Sequence, residues 1–253
     1  MARVRSVHTS RRSWSTAAVL LLLGAVAGAG AVREHWLDCR GSMLSGSILR
    51  GYAYGPDFSE ACLETMDRGG FAFVWPSGED PWGTESLLGM VCALLWTLSW
   101  VAVLAAAGWS RGTRVVAGIP AVLTAGVALG NLLSVRSDAL DVGFRLLLFA
   151  VDLSAVVAFV VIAARERLSV RTLSRVAFVL AGSTAVGQFP SILDYAFMVT
   201  VFSDANWDVP PGAGYPTVVA VGVLGAAVLL MTALPPARAR RPADRPVHAD
   251  LHA

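Results

Sequence analysis

Six long apolar stretches, set apart by polar segments of alternating charge, limit this chain more than any other feature. They cover residues 14–32, 86–109, 115–135, 144–164, 176–202 and 215–234. Each has the roughly 20 residues a helix needs to cross about 30 Å of hydrocarbon. Lipid offers no partner to backbone N–H and C=O groups, so a spanning segment that bonds within itself must be helical. A soluble reading fails on composition: 55% of residues are apolar and 15% charged, against roughly 25% charged in a typical soluble chain. The stretches also lack the polar faces that soluble helices carry. The expected fold is all-α: a polytopic integral membrane protein, a six-transmembrane-helix bundle with one large extracytoplasmic loop.

Arginine sets the orientation. The chain has no lysine, so its 20 arginines are the whole basic inventory. If the stretches alternate in direction, 14 of the 20 fall on the side that carries both termini. The opposite side carries 13 of the 18 acidic residues. Basic residues resist translocation, so the arginine-rich side is expected in the cytoplasm. This gives a basic cytoplasmic segment over 1–13, both termini inside, and a multi-pass protein of a bacterial plasma membrane. The bacterial source is read from the Ala-, Val-, Gly- and Arg-rich composition. The Arg- and Pro-rich tail over 235–253 is too polar to bury itself and is expected to be disordered.

The first stretch has two readings. Its charged start, apolar centre and small residues from Ala27 to Ala31 resemble a secretory signal peptide. It also has the length of a retained helix, and Gly24 and Gly28 stand in the GxxxG spacing that permits close helix packing. Residues 33–85 emerge on the far side under either reading. That segment mixes nine acidic residues with eight aromatics, and about 50 residues is long for a structureless loop. Cys39 and Cys62 sit in it and are expected to pair in an oxidising compartment, a closure worth about 3 kcal/mol by chain entropy. Its aromatics suit a membrane or extracytoplasmic protein partner, since aromatic anchors dominate interface energetics.

Ionisable residues inside the stretches are the sharpest local signal, because a charge at the bilayer centre costs about 2.5–3.5 kcal/mol. Asp152 lies eight residues into the fourth stretch, roughly 12 Å down. Arg145 precedes it by two helical turns, and Asp194 lies near the outer end of the fifth stretch. Asp152, Arg145, Asp194, Asn131 and Gln188 together form a candidate ion or proton pathway. The competing reading joins Arg145 to Asp194 as an interhelical pair and makes Asp152 a packing group, either kept neutral or hydrogen-bonded to a neighbouring helix. Pro190, just after Gly187 and Gln188, is expected to kink the fifth helix.

Other chemistry finds little support. There is no CxxC, Walker A loop, HExxH or GxSxG sequence. All four histidines lie outside the apolar stretches, so no haem, metal or other cofactor is expected. A net charge of +2 without a dense basic block argues against nucleic acid as a partner. Three function classes stay open. The first is a non-enzymatic accessory or interaction protein that meets its partner through residues 33–85. The second is a small proton- or cation-linked transporter centred on Asp152, and the third a membrane enzyme acting on a lipid-like substrate.

Overall fold

The computed structural model describes residues 11–39, 58–67, 83–133, 138–202 and 209–234. Most of the basic 1–13 segment, much of the 33–85 loop and the tail over 235–253 lie outside the described residues. Every regular element among the described residues is helical. In chain order they are α1 (Arg11–His35), a 3₁₀ turn (Leu37–Cys39), α2 (Glu60–Asp67), α3 (Thr84–Ala106), α4 (Arg111–Leu133), α5 (Asp138–Arg165), α6 (Val170–Ser183), α7 (Gln188–Phe202) and α8 (Tyr215–Ala233). Five of these, α1, α3, α4, α5 and α8, are long and apolar enough to cross a membrane, and α6 with α7 makes a sixth as a bent pair. The architecture is a helical membrane bundle.

The first apolar stretch sits inside this bundle. Helix α1 packs most extensively against α3 and next against α8. Its small residues make that approach possible: Ala17, Ala18, Gly24, Ala25, Gly28 and Ala31 are all buried. Gly24 lies directly under the indole of Trp96, where a Cβ would overlap the ring. Helix α6 touches α1, α3, α5 and α8, while α4 and α5 form a pair joined to the rest through α3, α6 and α7.

Buried tryptophans tie the helices together by their ring N–H groups. Trp96 of α3 donates to the Leu21 carbonyl of α1 at 3.2 Å, and Trp100 donates to the Ala117 carbonyl of α4 at 2.7 Å. Trp36, just past α1, donates to the Ala213 carbonyl ahead of α8 at 2.9 Å. Apolar burial contributes little between helices in lipid, so close packing and bonds of this kind carry the association.

The two ends of the bundle differ in chemistry. At one end Arg171 donates to the Met231 and Leu234 carbonyls, and Arg175 donates to Met231. Arg11 reaches the Ala233 carbonyl at 3.4 Å, and the Arg175 guanidinium lies over the Trp14 ring at 5.8 Å. These are the last carbonyls of α8, which a helix cannot satisfy itself and which favour cations. At the other end Cys39 and Cys62 form the expected disulfide, joining the 3₁₀ turn to α2 with Cα atoms 4.8 Å apart. Ser59 caps α2 by accepting from the Cys62 N–H at 3.1 Å. His35 at the end of α1 meets Glu85 at the start of α3, 2.9 Å apart.

The fifth apolar stretch departs from expectation. It is not one kinked helix over 176–202: helix α6 begins earlier, at Val170, and stops at Ser183. After four residues α7 starts at Gln188 with its axis turned by 79°. Pro190 therefore occupies the first turn of a new helix, where the missing N–H breaks no bond. The break is larger than a proline kink because the α6 ladder ends outright.

Candidate functional site

Helices α7 and α8 each begin at a glycine that offers no side-chain cap. Gly187 precedes α7, and Gly214, with φ of 104°, is the N-cap of α8. Neither glycine has a side chain to accept from the first-turn N–H groups. Buried inside an apolar bundle, those donors have no water to turn to, and leaving one unmet costs about 1–3 kcal/mol. An aspartate from another helix answers each of them.

Asp194 of α7 closes the start of α8. One carboxylate oxygen accepts from the Gly214 N–H at 2.7 Å. The other accepts from the Thr217 N–H at 2.8 Å and the Thr217 hydroxyl at 2.7 Å. Only Gly adopts the positive φ at 214 without strain, and its missing side chain leaves room for the visiting carboxylate. The negative group also stands at the positive end of the α8 dipole.

Asp152 of α5 serves the start of α7. Its Oδ2 accepts from the Phe189 N–H at 2.8 Å, and the Gln188 backbone bonds to the same carboxyl. Its Oδ1 lies against Gly187, where a Cβ would overlap it. Glycine at 187 is thus required by a close approach, not by backbone strain. Asp152 is the fifteenth of the 28 residues of α5, about 21 Å from either end. The broken span is stitched to its neighbour near mid-depth.

A groove of about 360 Å³ runs beside this contact, between α5, α6 and α7. Asp152, Val156 and Phe159 line it from α5, Ala181 and Thr184 from the α6 side, and Leu193 from α7. Its walls are apolar apart from Asp152 and Thr184. Val156 and Leu193 are 60% and 68% exposed, so the mouth opens sideways towards lipid.

The four candidate pathway residues with described side chains do not all converge. Asp152 and Gln188 meet at the start of α7, whereas Asp194 stands at the start of α8. Arg145 is exposed on α5 rather than paired with Asp194, whose oxygens face Gly214 and Thr217. The physical reason is that uncapped backbone donors at a buried helix start outcompete a long side chain that can reach an interface. Asn131 falls within α4, but its side chain lies outside the described ones. Sequence reasoning missed Phe189, Gly214 and Thr217. The available signal was a glycine with a proline two or three residues later, Gly187 to Pro190 and Gly214 to Pro216, which reads as a helix start inside an apolar run.

Among the described residues no three His, Cys, Asp or Glu side chains gather as a metal site. No known family profile matches this chain, no curated protein is significantly similar to it, and no solved structure shares its fold at a significant level.

Proposed function

We propose that this chain is a non-enzymatic accessory or interaction protein of a bacterial plasma membrane, with the arginine end in the cytoplasm and the disulfide end outside. One observation carries the reading: Asp152 and Asp194 are engaged as caps on helix starts. A transported cation would have to displace backbone donors at Asp194, and at Asp152 it would meet a carboxyl already committed to the start of α7. The groove beside Asp152 is walled by apolar residues and opens sideways, which suits neither an aqueous path nor a charged substrate. The disulfide-tethered segment at the outer end supplies the partner surface, with Leu37 and Leu63 exposed on it.

The alternative is a proton- or cation-linked carrier using Asp152. It draws on the broken helix, since interrupted helices with a polar group at the break are a recurrent carrier device. A flux assay separates the two. Proteoliposomes holding the purified protein should show no more proton or sodium flux than protein-free liposomes under an imposed gradient. Flux that disappears in Asp152→Asn would establish the carrier instead. A photo-crosslinking residue at Leu63 should give a discrete protein adduct in native membranes; adducts to lipid alone would remove the interaction reading.

A further inference from the structure

We propose that the groove between α5, α6 and α7 binds a neutral lipid-like molecule bearing one hydroxyl group, held by Asp152. Four observations lead there. The groove, at about 360 Å³, falls within the usual range for small-molecule sites of about 300–1,000 Å³. It opens to lipid past Val156, Phe189 and Leu193, each more than half exposed, so its ligand arrives from the bilayer. Among the described residues its wall is apolar except for the Asp152 carboxyl and the Thr184 hydroxyl, and none of them brings a cationic side chain to it. The Thr184 hydroxyl spends its one proton on the Leu180 carbonyl at 2.9 Å, so a ligand's donor finds its stronger acceptor in the Asp152 carboxyl.

The carboxyl has capacity left. A carboxylate offers about four acceptor positions across its two oxygens. Asp152 accepts from Phe189 through Oδ2 and bonds the Gln188 backbone, while Asp194, equally buried at 7% exposure, accepts three donors through both oxygens. A hydroxyl is the group that fits. It can donate to an ionised carboxyl and both donate to and accept from a protonated one. It also reaches mid-depth without the desolvation cost an ammonium carries. The apolar body lies along Val156, Phe159 and Ala181, towards the arginine end. This binding role does not depend on the outer-segment partner, and its test is separate from the flux and crosslinking assays.

The test uses a diazirine-bearing fatty alcohol and its methyl ether, which has the same chain but no donor. The full-length protein is irradiated with each in liposomes, and the labelled peptides are mapped. The alcohol should label peptides containing 152–159 and 177–193 at least fivefold more than the ether. Ala181→Phe, which fills the groove and leaves Asp152 intact, should abolish that labelling. Asp152→Asn, whose amide is a weaker acceptor, should lower it. Equal labelling of the wild-type protein by alcohol and ether would overturn the proposal whatever the variants show, because the groove would then be ordinary lipid-facing surface.

Discussion

Asp152 and Asp194 are the same residue type, equally buried, each answering the start of a helix that begins at a glycine. Their surroundings differ. Asp194 accepts three donors through both oxygens. Asp152 accepts from Phe189 through Oδ2, bonds the Gln188 backbone, sets Oδ1 against Gly187 and borders an open groove. One geometry commits both oxygens of the carboxylate to the start of α8; the other keeps a polar group at the edge of a lipid-facing hollow. A buried charge in a membrane helix is therefore a poor indicator of function until its partners are counted.

That contrast can be broken by substitution, and the effects should descend in order. Asp194→Ala should destabilise most, by about 3 kcal/mol or more, because three donors lose their acceptor at once. Thermal unfolding in detergent, followed by tryptophan fluorescence, would check it. Gly187→Ala should come next, at about 1–3 kcal/mol, since the added methyl overlaps Asp152 and drives the carboxyl off Phe189. A matching loss of amide protection at Phe189 in hydrogen exchange would identify the cause. Thr217→Val removes one donor and leaves two backbone bonds in place, so about 1 kcal/mol is expected. Asp152→Asn should be mildest, below about 1 kcal/mol, because its amide oxygen can still accept from Phe189 while the nitrogen turns to the groove. If Asp152→Asn proved as damaging as Asp194→Ala, the two sites would be equivalent and the distinction would fall.

Much of the bundle was legible from residue order. Apolar length marked the spans because lipid admits no other backbone solution. The disulfide was legible because two cysteines stood in one polar segment. The close contact of α1 was legible in its Gly24 and Gly28 spacing, which the burial of both glycines against the bundle now explains. The break at 184–187 was legible only in part: Gly187 and Pro190 mark a helix start, while Thr184, Ala185 and Val186 read as ordinary helix. The partners of both aspartates were illegible for a related reason. Apart from the Thr217 hydroxyl they are backbone N–H groups at the starts of other helices, and a backbone group carries no residue type to be read.

Helix α8 shows what such capping implies for assembly. It carries no charged residue, yet charges stand at both its ends: Asp194 at the start, and Arg11, Arg171 and Arg175 at the finish. All four come from α1, α6 and α7, which precede it in the chain. The last helix is thus a rod cut to fit between two sockets that the others have already built. Sliding it by one turn would empty both sockets together, so its depth in the membrane is set by its neighbours and not by its own apolar length.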